Sequence, residues 1–237
     1  MLAAAVSAAD PAAYDLSLAV RLLATTPTHD KRDPAELRQW ALAADAFGAA
    51  LDPGLPCRAR IVERRDGLQQ LLLARYTSRP ATVELYTDTI DRAESLIDEL
   101  GWRSWYPVGS VRAAALAHET AHALLHRKAM RTALKEALGH IALRLGRFRV
   151  LGHVAGAEEV AAHAYARTVC GLGRSPLLLT AALAAAVDTP EDRGDPWVLS
   201  SCSSWRPVSP PCSPANYPRP SRSSCSPSSS PSSPAHP

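Results

Sequence analysis

The feature that most constrains the fold of this chain is the sequence His-Glu-x-x-His, formed by His118, Glu119 and His122 inside an alanine- and leucine-rich run. Such a run predicts an α-helix, on which residues four apart lie one above the other on the same face. His118 and His122 can therefore present two imidazole nitrogens to one Zn²⁺ at about 2.0–2.1 Å. Glu119 is then placed to act as a general base on a water molecule rather than as a ligand. The motif predicts a zinc hydrolase.

The alternative interpretation is a chance match on an exposed polar face of a helix. Apolar residues flank the histidine pair on both sides, namely Ala115, Leu116, Ala117, Ala121, Leu124 and Leu125. These flanks favour burial, and two histidines and a glutamate buried without a metal would be energetically costly. The zinc interpretation is therefore favoured.

A catalytic zinc site takes a third protein ligand and keeps one position open. His126 cannot be that ligand, because it lies about 12 Å along the helix axis from His118. The glycine and histidine of a metzincin are absent from the positions three and six residues after His122. The next candidates downstream are Glu158 and Glu159, at the start of a second alanine-rich helix.

Residues 111–126 read Val-Arg-Ala-Ala-Ala-Leu-Ala-His-Glu-Thr-Ala-His-Ala-Leu-Leu-His and resemble the active-site helix of ImmA/IrrE-type metallopeptidases. Residues 159–166 are similar to the glutamate-rich helix of that family, which reads Glu-x-Glu-Ala-Asn-x-Phe-Ala. Here Ala161 replaces the second glutamate and His163 replaces the asparagine.

The resemblance covers about residues 80–175 and implies that His118, His122 and Glu159 bind Zn²⁺, with Glu119 as the base. It also implies a regulatory endopeptidase, since such proteins often act on a repressor that carries a helix-turn-helix. No helix-turn-helix is recognised in this chain, so the repressor would be a separate protein.

Helix periodicity alone does not decide between Glu158 and Glu159, because the residues on the same face as either one are mostly small or apolar. The family-like spacing to Tyr165 favours Glu159, which leaves Glu158 at the helix start, where the dipole favours a carboxylate. The developing oxyanion needs a donor besides the metal. His163 and Tyr165 are the candidates, with a packing role as the alternative for Tyr165.

Hydrophobic patterns predict an α+β, zincin-like fold that is mostly helical and carries a small, three-stranded, mainly antiparallel sheet. Strands are predicted over residues 57–63, 71–76 and 81–86, and an Asp-Gly pair between the first two predicts a hairpin. Helices outside the motif are predicted over residues 11–28, 33–51 and 89–100 and after residue 175. The predicted N-caps are Asp33, Asp88, Ser110 and Ser175.

Three segments are predicted: an N-terminal extension (1–10), a zincin-like metallopeptidase domain (11–190) and a Ser/Pro-rich tail (191–237). Ser and Pro supply 25 of the last 38 residues, a composition that cannot form a core and predicts disorder. A shifted reading frame of GC-rich DNA is an alternative origin for the tail, since it contains no acidic residue from residue 200 onward.

Charge and cysteine usage limit the partners and the compartment. The net charge of +3 equals the number of arginines after residue 200, so the body is neutral, which argues against nucleic acid as a partner. Neither a signal peptide nor a membrane span is predicted. Only Cys57 and Cys170 lie in the body, which favours a reduced, cytoplasmic setting.

The sequence therefore predicts a cytoplasmic, zinc-dependent endopeptidase that acts on a peptide or protein, with residues 82–86 as a strand edge for the substrate. A non-catalytic, zinc-stabilised protein-interaction domain is the alternative. Retention of Glu119 favours the enzyme, because a purely structural site needs no base. An antirestriction-type domain is a third option, weakened by the lack of the acidic excess expected of a DNA mimic.

Overall fold

The computed structural model describes residues 10–53 and 59–187, which form an α+β fold of mainly helices, as predicted. The helices are α1 (Pro11–Ala24), α2 (Pro34–Ala49), α3 (Thr87–Leu100), α4 (Ser110–Leu125), α5 (Lys128–Leu138), α6 (Ala157–Val169) and α7 (Pro176–Val187). The strands are β1 (Arg60–Arg64), β2 (Ala74–Ser78), β3 (Ala81–Tyr86), β4 (Ile141–Leu145) and β5 (Phe148–Leu151). The predictions for residues 1–9 and 191–237, and for the start of the first strand at 57–58, lie outside the described residues.

Two helices begin where local signals predict. The Asp33 carboxylate accepts a hydrogen bond from Ala35 N at 2.8 Å, and the proline after it opens α2. Ser175 Oγ accepts from Leu177 N at 3.3 Å, and the next proline opens α7. Both starts use a side-chain acceptor followed by a residue that has no N–H to satisfy.

Two other predicted N-caps are wrong. Asp88 lies inside the first turn of α3, and its carboxylate accepts from the backbone N–H groups of Gly67 and Leu68, each at 3.1 Å. Ser110 is the first residue of α4 because Gly109, with φ of +78°, takes the cap position. The Asp88 carboxylate therefore joins the loop before β2 to α3.

The larger sheet has the order β1–β3–β2, so β3 is central and β2 is an edge strand. β3 pairs parallel with β1 and antiparallel with β2, so the sheet is mixed and the predicted mainly antiparallel arrangement is wrong. The predicted hairpin between the first two strands is also wrong. Gly67 has φ of −91°, whereas a type I′ hairpin turn requires φ above zero, and the chain continues into a 3₁₀ turn.

A second sheet, β4–β5, is an antiparallel hairpin that the sequence analysis missed. Its turn contains Gly146, with φ of +57°. The signal was the alternation of arginine with apolar residues, which is typical of a strand. Four of those apolar side chains are 52–66% exposed, namely Leu143, Leu145, Phe148 and Val150.

Helix α6 packs against both α2 and α4, and α4 also contacts β2 and β3. Helix α4 therefore lies between the larger sheet and α6, and this places the His-Glu-x-x-His motif in the interior. α2 and α6 approach closely at Gly48, where an added Cβ would lie 2.0 Å from Ala161 O. Among the described residues, no helix has the length and apolar character needed to cross a bilayer.

The close approach at Gly48 leads to a stability prediction. We expect Gly48→Ala to lower the free energy of unfolding by about 1–3 kcal/mol, because the added methyl group must push α2 and α6 apart. The sign of this change is informative. Alanine is otherwise favoured over glycine in a helix by about 1 kcal/mol, so without the close contact the substitution would stabilise the protein. Chemical denaturation measures the change, and Gln39→Ala on the exposed face of α2 is the control. A stabilised Gly48→Ala protein would contradict the close contact.

Candidate metal centre

Three side chains converge where α4 meets α6. His118 and His122 are one turn apart on α4, with their Nε2 atoms separated by 3.0 Å. Glu159, in the first turn of α6, places one carboxylate oxygen 3.4 Å from His118 Nε2 and the other 3.2 Å from His122 Nε2. Tetrahedral ligands at about 2.0–2.1 Å from a metal lie about 3.3 Å from one another. The donor types and spacings of this cluster therefore fit Zn²⁺.

The imidazole of His118 is held mainly by packing. A ligating histidine usually donates its second ring N–H to a carboxylate or a carbonyl. His118 Nδ1 is buried and has no hydrogen-bond partner among the described residues. The ring instead contacts two other imidazoles, with centroids 4.7 Å away for His122 and 4.5 Å away for His163.

Charge within the cluster keeps the carboxylate ionised. Burial lowers the pKa of His122, but the nearby carboxylates, Glu159 foremost with Glu119 and Glu158, together outweigh burial and raise that pKa to about 9. Burial likewise opposes ionisation of Glu159, yet the adjacent His122 holds the pKa of this carboxyl well below its usual range. Glu159 therefore presents a negatively charged oxygen pair to any cation between the histidines.

Glu119 is buried beside the cluster but points to the larger sheet. Its Oε2 accepts a hydrogen bond from the backbone N–H of Tyr76 at 2.8 Å. Tyr76 lies in edge strand β2, so the sheet holds this carboxylate apart from the three converging donors. Glu119 is therefore placed outside the donor set, as predicted for a base rather than a ligand.

His163 lies one turn after Glu159 on α6, on the same face. With His118 and Glu159 it forms a second set of donors, whose ligand atoms all lie within 4.8 Å of one another. Burial, together with the nearby His118, lowers the pKa of His163 to about 3. The ring is therefore a neutral imidazole at physiological pH. The role of His163 itself as an oxyanion donor stays a prediction.

The structure does not bring Tyr165 to the cluster. Its side chain is buried, and its hydroxyl donates to Pro53 O at 3.3 Å, near the end of α2. Six residues along a helix from Glu159 reach a different face, so the prediction of Tyr165 as an oxyanion donor is wrong. The packing alternative describes its position.

Glu158 faces a separate cavity that Lys128 and Arg131 also line. We therefore expect Glu159→Ala to lower zinc affinity by more than about 100-fold, a larger loss than removal of an outer partner of a ligand causes. Glu158→Ala is the matched control and should change the affinity by less than about threefold. Competitive zinc titration with a chromophoric chelator measures both. The reverse order of affinities would move the third ligand by one residue.

Sequence reasoning missed two parts of this region. One is the Tyr76 N–H that holds Glu119, which depends on β2 being an edge strand. The other is α7, whose residues Leu179, Thr180 and Leu183 form a wall of the cavity beside the cluster. The apolar composition of α7 indicated burial but not which element it would cover.

Comparison of the chain with protein-family models, with curated proteins and with solved structures gives no match in any of the three. The likeness of residues 111–126 to the ImmA/IrrE-type helix therefore stays a prediction.

Proposed function

We propose that this protein is a zinc-dependent endopeptidase that hydrolyses a peptide bond of a protein substrate. The observation that carries the proposal is the convergence of His118, His122 and Glu159 within 3.0–3.4 Å, with a fourth residue, Glu119, buried alongside and held outside the donor set. A purely structural site has no need of that additional carboxylate.

The proposal assigns three roles to these residues and to His163. His118, His122 and Glu159 hold Zn²⁺, which when bound polarises the scissile carbonyl and lowers the pKa of a water molecule towards about 7. Glu119 accepts the proton of the attacking water and passes it to the leaving amine. His163, a neutral imidazole, supplies an N–H towards the developing oxyanion.

The substrate backbone would add to β2, not to residues 82–86, because β3 is the central strand. Tyr86 N donates to Leu73 O, and every second residue of an antiparallel ladder bonds to its partner strand. Ala74, Tyr76 and Ser78 therefore direct their backbone groups away from β3. Because Tyr76 N already donates to Glu119, the substrate would pair with the other outward groups of β2. Main-chain hydrogen bonds to an edge strand are a common mode of peptide recognition.

The second candidate is a non-catalytic, zinc-stabilised protein-interaction domain. One observation favours it: the carboxylate of Glu119 already accepts a hydrogen bond from Tyr76 N and so has a structural role.

For the peptidase, the proposals that it cleaves a separate helix-turn-helix repressor and that it acts in the cytoplasm are less direct. The repressor rests on the resemblance to ImmA/IrrE-type proteins, and the cytoplasm on the cysteine usage of the sequence.

A peptide-library experiment tests the proposal. The full chain is purified, its zinc content is measured by elemental analysis, and a library of unstructured peptides is profiled for new termini by mass spectrometry. We expect about one Zn²⁺ per chain and cleavage that a chelator abolishes and added zinc restores. His118→Ala should lose both. Zinc-loaded protein that cleaves no peptide would contradict the peptidase proposal and support the alternative of an interaction domain.

A further inference from the structure

A cavity of about 80 Å³ lies beside the cluster of His118, His122 and Glu159, because His118, Glu119 and Glu159 form part of its wall. The rest of the wall is mostly aliphatic and comes from α4, α7 and the chain leading into β2, with Leu71, Leu73, Val111, Ala114, Leu179 and Leu183. An apolar surface therefore lies directly beside the place where a scissile bond would be held.

Three hydroxyl groups line this cavity, and two of them are engaged. Tyr106 Oη donates to Ser175 O at 2.7 Å, and Thr180 Oγ1 donates to Leu177 O at 3.0 Å. Ser110 Oγ has no partner among the described residues. A single hydroxyl does not replace the hydration shell of an ion, so a charged side chain would be costly to bury here.

The charges of the wall also disfavour ionic side chains. Among the described residues that line the cavity, none is Lys, Arg or Asp. Its two acidic groups are already engaged, Glu119 by Tyr76 N and Glu159 by the imidazoles. A carboxylate would be repelled by both glutamates, and an ammonium group would find neither free.

The size of the cavity selects among the apolar side chains. A water molecule needs about 10–15 Å³ of such space, so a cavity of 80 Å³ has room for roughly six water molecules. Leucine, with four side-chain carbons, and phenylalanine, with seven, are of this order. Alanine would leave most of the cavity empty and would forgo the gain from burying apolar surface.

We propose that this cavity is the specificity pocket of the site and receives one large apolar side chain, of the leucine or phenylalanine kind, next to the scissile bond. The inference rests on the proposed function and deepens it by naming the substrate class. Its location fits a peptide strand on β2, because Ala74, whose backbone faces away from β3, also lines the cavity. Ala114 and Ala184 then set the size of the side chain that is accepted.

Binding is tested in the full-length Glu119→Gln protein, so that no hydrolysis is needed. The probe is a fluorescein-labelled Ser/Thr peptide that carries one Leu, Phe, Ala, Asp or Lys at its centre, and anisotropy gives its Kd. We expect the Leu and Phe peptides to bind about 10- to 100-fold more tightly than the other three. Equal Kd values across the series would overturn the proposal without any pocket variant.

Matched variants locate the preference. In the same background, Ala184→Leu fills the cavity and should abolish the preference for Leu and Phe, whereas Ala185→Leu on the exposed face of α7 should retain it. Ala114→Leu and its exposed neighbour Ala113→Leu repeat the comparison on α4 and serve if the first variant does not fold. Retention of the preference in a folded, filled-pocket variant would place the side chain elsewhere.

The outcome for the pocket can be separated from the outcome for the peptidase. A Leu and Phe preference that Ala184→Leu abolishes, combined with no cleavage by the wild type, would support the pocket and contradict the peptidase. Cleavage by the wild type with no preference at the central position would contradict the pocket and support the peptidase.

Discussion

Replacing Glu119 by glutamine is expected to lower kcat by about 10²- to 10⁴-fold while the zinc content stays unchanged. Glutamine keeps the size of the side chain and an oxygen that can accept the hydrogen bond from Tyr76 N, now 2.8 Å from Glu119 Oε2. It cannot take a proton from the attacking water. Initial rates on the best-cleaved library peptide, with zinc analysis of the same preparations, measure the effect.

Glu136→Gln, on the exposed face of α5, makes the same chemical change away from the site and should leave kcat unaltered. Equal rates for Glu119→Gln and the wild type would remove Glu119 from the mechanism. A loss of zinc or of thermal stability in Glu119→Gln would instead assign the carboxylate a structural role, as the interaction-domain alternative requires.

The second large effect concerns stability. Arg174 is 1% exposed and pairs with Asp15, whose side chain is 11% exposed, at 2.8 Å. The other carboxylate oxygen of Asp15 accepts from Ser175 N at 2.8 Å. Asp15→Ala leaves the guanidinium buried without its counter-charge, and we expect a loss of about 3–5 kcal/mol in the free energy of unfolding. For a domain of this size the melting temperature should fall by about 10 °C.

Asp45→Ala is the matched control. Asp45 pairs with Arg167 at 2.9 Å, but the two side chains are 38% and 27% exposed, so solvent screens the pair. Its removal should cost at most about 1 kcal/mol. Thermal and urea denaturation of both variants decide the comparison. Similar losses for the two would show that burial of the Asp15–Arg174 pair does not set its contribution.

The helices were largely predictable because their signals are local. The Asp33 and Ser175 caps each need only a side-chain acceptor and the proline that follows, and no distant partner. Strand pairing is not local. The pairing of β1 with β3 depends on where the chain goes after Gly67, and the N–H of that glycine donates to Asp88, 21 residues later. An Asp-Gly pair carries no information about that contact.

The candidate site also combines residues placed by local patterns with residues placed by tertiary packing. His118, Glu119 and His122 follow from the helical repeat alone. The position of Glu159, in contrast, depends on how α6 packs against α4, which the sequence periodicity left open. The spacing between Glu159 and Tyr165 in the sequence was misleading. The Tyr165 side chain lies on another face of α6, and its hydroxyl donates to Pro53 O. Contacts made by the tertiary fold decided every part of the site that sequence patterns did not.

The hydrogen bond from Tyr76 N to Glu119 ties the proposed proton acceptor to the strand that would receive the substrate. A peptide that adds to β2 would contact the same segment of backbone that positions this carboxylate. Substrate residues remote from the scissile bond would then alter the placement of the base as well as the affinity. Truncating such a substrate would therefore lower kcat, and would not change KM alone.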